Sequence, residues 1–180
     1  MGMRTYPAKA KLITAVMVAD QTLFEKVRQI LEKRFGPIDS ESDIYPFTFT
    51  DYYSKEMGTT LHKKIISFHK LIEKNELVMK KLQSNKIEEE FAKGNADMWH
   101  RRVNIDPGYV TDSKLVLAST KNFSHRIYLG DGIFAEVTLR YFRTKGFEPL
   151  EWTYPDYRTD MVRIFLESVR QRYMGQLRSD

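Results

Sequence analysis

The sequence predicts an α+β fold in a single domain, with a mixed or antiparallel β-sheet packed against about three main helices. Three observations lead there. Leu12-Ile13-Thr14-Ala15-Val16-Met17-Val18 is a short continuous apolar run, β-branched in part, of the kind a buried central strand shows. A helical stripe follows at Leu23, Phe24, Val27, Ile30, Leu31 and Phe35, entered at the capping Asp20 and stopped by Gly36-Pro37. Further on, two apolar runs flank Gly130-Asp131-Gly132, the pattern of a β-hairpin.

Length and composition agree with one domain. The 180 residues suffice for a real core, and 42% hydrophobic with 29% charged residues is a soluble globular composition. The first ten or so residues are expected to be flexible. The absence of cysteine excludes disulfides, thiolate metal sites and a cysteine nucleophile, and suits a reducing cytoplasm. No run approaches the roughly 18 apolar residues of a membrane span. The opening MGMRTYPAKAK lacks a secretory apolar region, and Tyr6 stands where myristoylation wants Ser or Thr. A cytoplasmic protein without membrane contact is the expectation. The net charge of +5 permits contact with phosphates or nucleic acid without demanding it.

The remaining elements are read in order. Ile38–Ile44 looks extended, with Asp39, Glu41 and Asp43 on one face. That face is either simply solvated, as on an edge strand, or a divalent-metal cluster; the first reading is preferred and no metal is expected. Residues 45–60 form a loop rich in aromatics, which either packs back on the body or lids a ligand with Tyr52, Tyr53 and Glu56. The 61–72 segment tips towards strand through Ile65-Ile66, and a polar helix is expected over about Asn75–Phe91, ending near Gly94-Asn95. The last helix runs from about Thr159 to Leu177, with Val162, Phe165, Leu166, Val169 and Tyr173 inward. Trp152 and Tyr154, with Pro155 and Asp156, are expected to clamp that helix onto the sheet or to offer a stacking surface for a base.

Residues 101–142 concentrate polar groups of site-building types. The alternating strand 102–106 leads into Asp106-Pro107-Gly108, which reads as a tight turn with Gly supplying a positive φ. Thr111 or Asp112 then looks like the N-cap of a short helix through Leu115–Ala118, with Lys114 at its start and Lys121 after it. Asn104 and Asp106 leave the strand on one face. In the hairpin, a 130–132 loop sets Leu129 opposite Ile133, Ile127 opposite Ala135 and His125 opposite Val137 on a core-facing side. The other side then carries Tyr128 opposite Phe134 and Arg126 opposite Glu136, beside Thr138 and Arg140. A two-residue Gly130-Asp131 loop would mix the faces. The pair Arg126 and Glu136 is either a solvated ion pair worth under about 1 kcal/mol or part of the floor of an anion or nucleotide pocket.

Several motifs in one order carry a resemblance: FGPID near Phe35, TDYYSKEMG at 50–58, VNIDPGYVT at 103–111, HRIYLGDGIFAEVTL at 125–139 and PLEWTYPDY at 149–157. The chain resembles an uncharacterised prokaryotic family classed as a domain of unknown function, some members of which carry the label "GTP-binding protein". The resemblance spans nearly the whole chain and implies no activity. A P-loop GTPase needs G-x-x-x-x-G-K-[ST]. The strand-to-helix turn here, Val18-Ala19-Asp20-Gln21-Thr22, has no glycine, and no G-K-[ST] occurs. Zinc spacings, the G-x-S-x-G elbow and RNA-binding signatures are missing too.

The function expected is binding of a phosphorylated small molecule, or of a nucleotide with magnesium, in a pocket built by residues 104–140. The candidates are Asn104, Asp106, Lys114, Lys121, His125, Arg126, Glu136 and Arg140, with Tyr52, Tyr53 and Glu56 of the aromatic loop. The alternative is a non-enzymatic binder of RNA or protein that uses the basic surface. A pocket enclosing Asn104, Asp106, Arg126 and Glu136 would favour the first; a flat basic face with exposed aromatics would favour the second.

Overall fold

A computed structural model describes residues 2–50, 53–92 and 100–179. It shows one antiparallel sheet of nine strands with helices on both faces. The apolar run near the N-terminus is β1 (Ala10–Val18), buried at every position. A strand covered on both faces must lie inside the sheet, and β1 is flanked by β4 (His62–Ile72) and β5 (Val103–Val110). Towards one edge, β4 pairs with β2 (Ile38–Glu41) and with the short β3 (Tyr45–Pro46). Towards the other, β5 leads to β6 (Lys114–Ser119), β8 (Ile133–Phe142) and β7 (Ile127–Gly130), and β9 (Gly146–Pro149) also pairs with β8.

The helices divide the two faces. On one face α1 (Leu23–Phe35) sets Val27 and Leu31 against Leu12, Val16, Ile66 and Ile105. The helix α3 (Leu77–Phe91) continues that layer, with Ile87 in the same cluster and Leu77 against Val116, Ala118 and Ala135. On the other face α4 (Asp160–Ser179) presses Val162, Leu166 and Val169 onto Ile13, Ile65, Leu115 and Leu139, the stripe expected of it. The aromatic loop packs back beside α4. Tyr45 and Phe47 are buried, and Met57 of the one-turn helix α2 (Ser54–Met57) joins Phe47 over Met17.

Four local expectations are corrected. Asp106-Pro107-Gly108 is not a turn: β5 runs straight through it. Gly108 serves close approach instead of a positive φ, since a Cβ there would lie 2.4 Å from the Val116 carbonyl oxygen. No helix covers 115–118. That stretch is β6, and Thr111 closes the β5–β6 hairpin, its Oγ1 accepting the Ser113 and Lys114 N–H groups. The N-cap chemistry read from the sequence is present but folds a strand turn. Asp39 and Glu41 do not share a face, because a bulge between Ile38 and Ser40 breaks the alternation. Asp39 turns to Lys11 and Ser67, while Glu41 meets Arg28 and Lys64 at 2.8 and 2.7 Å.

The fourth correction concerns the hairpin. Ile127 faces Ala135 and Tyr128 faces Phe134, as expected, but Gly130 pairs with Ile133 across a bulge at Leu129. The turn proper is Asp131-Gly132, with φ of 51° and 75°, the left-handed pair that a type I′ turn requires. Ile127 and Leu129 do not face the core; Ile127 is 71% exposed, because β7 is the outermost strand of the sheet.

Gly108→Ala should lower stability by about 1–3 kcal/mol, since β6 must move to admit the methyl group. Urea unfolding measures this, and an unchanged midpoint would contradict a close contact between β5 and β6 at this position.

Candidate functional site

The site arises where two strands part. In β5, residues 105, 107 and 109 present their backbone groups to the β6 side, by the alternation of an antiparallel ladder. Tyr109 pairs with Val116, but pairing stops at Gly108. The next position is Pro107, which has no N–H to donate. Beyond it the strands separate, and the N–H and C=O of Ile105 are left without strand partners. Side chains of α3 take them. Glu88 Oε1 accepts the Ile105 N–H at 2.6 Å, and Lys81 Nζ donates to the Ile105 carbonyl at 2.8 Å. Both side chains reach through the gap from the opposite face of the sheet.

The gap opens into a cleft of ≈ 940 Å³, lined by residues of α3 together with residues of β4, β5, β6 and β8 and of the segment just before α4. One wall is a polar chain along β5 and α3. Lys81 Nζ lies 2.9 Å from Asp106 Oδ1, Asn104 Nδ2 donates to Asp106 Oδ2 at 2.6 Å, and Arg101 donates to the Asn104 side-chain oxygen at 3.0 Å and to Glu56 at 2.7 Å. The opposite wall centres on Glu136, which is 3% exposed. Its Oε2 accepts from Arg126 Nε at 2.8 Å and lies 3.0 Å from His125 Nε2. Arg126 also donates to Ser119 Oγ, to the Lys121 carbonyl and to the Tyr154 hydroxyl. At the floor, Lys63 Nζ lies 2.6 Å from Asp156 Oδ2, over the rings of Phe47 and Tyr157.

These contacts set the protonation chemistry. Burial pushes the Glu88 carboxyl above the ordinary glutamate value, and the charges of Lys81 and Arg101 pull it back only in part. Burial would raise Asp106 as well, but Lys81, Lys63 and the hydrogen bond from Asn104 outweigh it and hold Asp106 low. Two neighbouring carboxyls are thereby driven apart, an arrangement that acid–base sites use and that structural ion networks also produce. Burial, and then the Glu136 charge, raise the Tyr154 phenol.

Among the residues singled out by sequence, Asn104, Asp106, Lys121, Arg126, Glu136, Tyr53 and Glu56 all line this cleft. The cross-strand neighbours Arg126 and Glu136 meet as expected. His125 was placed on the opposite side, facing Val137. It instead shares Glu136 with Arg126 and stacks on Trp152, because it precedes β7 and escapes the strand alternation. Lys114 and Arg140 pair with each other at the far end of β6 and do not line the cleft. Tyr52 lies outside the described residues, as does the expected helix end near Gly94-Asn95. Trp152 donates from its ring N–H to the Val137 carbonyl and Tyr154 accepts from Arg126, so this pair braces the cleft wall rather than clamping α4.

Sequence reasoning passed over Lys81, Glu88, Lys63 and Arg101. For the first two a signal existed. Lys81, Ser84 and Glu88 are buried one helical turn apart, a polar stripe in what the sequence predicts only as a polar helix. Among the described residues, no group of three or more His, Asp and Glu side chains is arranged to hold a metal ion. No helix among them is long and apolar enough to cross a membrane.

Lys81→Met should cost about 3–5 kcal/mol, because it removes the ion-pair partner of Asp106, a cation beside Glu88 and the donor to the Ile105 carbonyl. Adding Glu88→Gln to that variant should restore part of the loss in urea unfolding. A second test is pH. A carboxyl raised in the folded state binds its proton more tightly there than in the unfolded chain. Stability conferred this way is complete below the ordinary glutamate value of about 4.3 and declines as pH climbs to Glu88's own. The stability difference between wild type and Glu88→Gln should show that decline, and a flat difference across the window would contradict the shift.

No curated protein and no solved structure matches the chain. A family described as "Domain of unknown function (DUF4416)" matches residues 8–173, nearly the whole chain. The protein belongs to this family of unknown activity.

Proposed function

We propose that the protein binds a small uncharged or zwitterionic polar molecule in the cleft between β5 and β6, with Glu88 placed to exchange a proton with it. One observation carries this reading: the cleft holds Asn104 and Asp106 on one wall and Arg126 and Glu136 on the other, around a volume of ≈ 940 Å³. That volume is within the range of small-molecule sites, and aromatic side chains such as Phe49 and Phe123 sit among the polar ones. A concave site of this kind speaks for a small ligand over RNA or protein recognition by a flat basic face.

The charge pattern argues about the ligand. Lys63 is held by Asp156, Lys81 by Asp106, Arg101 by Glu56 and Arg126 by Glu136. A phosphorylated ligand or nucleotide would have to displace these carboxylates and face their charges. A ligand that both donates and accepts hydrogen bonds, without net charge, fits the paired walls as they stand. Glu88 adds a carboxyl held above its usual range, a property suited to general acid–base work.

A thermal-shift and amide-shift NMR panel tests this. It would contain neutral polyols and sugars, amino acids, inorganic phosphate, sugar phosphates, and GTP and ATP with and without magnesium. The expected result is saturable shifts of cleft amides with a neutral or zwitterionic compound; a ligand at about 100 times its Kd adds roughly 2.7 kcal/mol. Saturable binding in the cleft by phosphate compounds alone would replace this reading with the phosphate one.

A further inference from the structure

A second hollow lies away from the cleft, between the end of β8 and the C-terminal half of α4. Its volume is ≈ 490 Å³, and Arg143, Arg170 and Arg178 line it with no aspartate or glutamate among the lining residues. Arg143 stands in the turn after β8. Arg170, Met174 and Arg178 follow at intervals of four residues along α4, and so share one side of the helix. Arg143 and Arg178 are exposed, and Arg170 is half-buried.

These three differ from the cations of the cleft, each of which is held by a carboxylate. Among the described residues, no carboxylate pairs with Arg143, Arg170 or Arg178. Glu167, one turn before Gln171 on α4, accepts the Phe147 N–H at 3.4 Å instead. Arg170 is nevertheless fixed. Its Nε donates to the Asp112 carbonyl at 2.7 Å, and its guanidinium lies 3.5 Å from the centre of the Tyr141 ring. Tyr141 is seated in turn against Phe147, edge to face at 5.3 Å. The stack and the bond at Nε hold the plane of the group, while its two terminal nitrogens have no acceptor among the described residues. Gly175 is an independent sign. Inside a helix, glycine costs about 1 kcal/mol against alanine. A Cβ at Gly175 would meet nothing within 4 Å, so packing does not call for the glycine. Gly175 lines the hollow, and its missing side chain leaves that side open.

We propose that this hollow is an anion site for a small ligand carrying linked phosphoryl groups, with Arg170 as its fixed receptor and Arg143 and Arg178 as the further cations. A guanidinium with free terminal nitrogens matches phosphate oxygens two bonds at a time. Three cations without counter-charge suit a guest with more than one negative charge. The helix from Arg170 to Arg178 spans about 12 Å, which linked phosphoryl groups bridge more readily than a single phosphate. A nucleic-acid backbone would need the basic surface to run on. Lys114 and Arg140 do not extend it: they lie on the other face of the sheet, since their neighbours Leu115 and Leu139 pack under α4. Arg163 is already paired with Asp160 and Glu148. A cation in the last turn also complements the helix dipole, which accounts for Arg178 but for neither Arg143 nor the pinned Arg170. The site is separate from the cleft, and neither reading depends on the other.

The test is amide NMR of the whole protein, titrated at constant ionic strength with pyrophosphate, tripolyphosphate, citrate and a single-stranded RNA oligonucleotide. Pyrophosphate or tripolyphosphate should give saturable shifts of the amides at 141–143 and 170–178. The double variant Arg143→Ala/Arg178→Ala removes two exposed side chains and should weaken this binding at least tenfold. Gly175→Glu places a carboxylate in the hollow with all three arginines kept. It should weaken binding as much, at a melting temperature no lower than that of the wild type, because glutamate is the better helix former. If the double variant does not fold, Gly175→Glu decides alone. The proposal is overturned if neither phosphate compound gives saturable shifts, if the shifts are confined to cleft amides, or if the variants bind as the wild type does. Citrate binding as tightly as the phosphates would also defeat it, since the hollow would then read charge alone. RNA bound at these amides and displaced by neither phosphate would replace it with a nucleic-acid surface.

Discussion

The molecule depends on how the backbone of Ile105 is satisfied. A strand that loses its neighbour in the middle of a sheet leaves an N–H and a C=O in a poorly hydrated place, and each must be bonded or exact a penalty comparable to a lost hydrogen bond. Here a glutamate and a lysine from α3 stand in for the missing strand. That substitution allows β5 and β6 to diverge with the Ile105 backbone still bonded. It also fixes Glu88 and Lys81 at the mouth of the opening, where they meet Asp106. Scaffold and site are one arrangement, since the groups that repair the sheet also give the cleft its charge.

The pairing of charge inside the cleft follows from the same constraint. Polar side chains drawn into a gap between layers lose water and must find one another, so the walls carry cations and carboxylates in near balance. Such walls are poor hosts for a strongly charged guest and good hosts for one that matches hydrogen bonds in place. Phe47, Phe49 and Tyr53 line the cleft from the aromatic loop, and the packing of Phe47, Tyr53 and Met57 against Met17 explains why these rings do not stand free in solvent.

Much of the architecture was legible in the sequence because burial and period dictated it. The unbroken apolar run of β1, the stripes of α1 and α4 and the Arg126 and Glu136 pair each rest on a regular repeat, and each stands as expected. The misreadings cluster where a residue type has two uses. Pro107-Gly108 has the chemistry of a turn, but in β5 the proline ends a ladder and the glycine admits a neighbouring strand. Thr111 caps a strand turn with the bonds it would have used on a helix. Asp39 and His125 depart from alternation at a bulge and at a strand end, which local pattern does not reveal. The α3 half of the site was hidden for a different reason: a buried polar stripe looks, in sequence, like a solvated one. Only the partner strand that it repairs distinguishes the two.

The early end of the β5–β6 ladder has a mechanical side. Eight residue pairs join β1 to β5, but three join β5 to β6. The sheet is therefore two stiff plates, β2-β4-β1-β5 and β6-β8-β7, sewn along a short seam, with α3 laid across the join. Bending concentrates where a plate is narrowest. A guest seated in the opening touches both plates and acts as a strut, so its arrival would be felt as rigidity along the whole seam as well as at the contacts it makes.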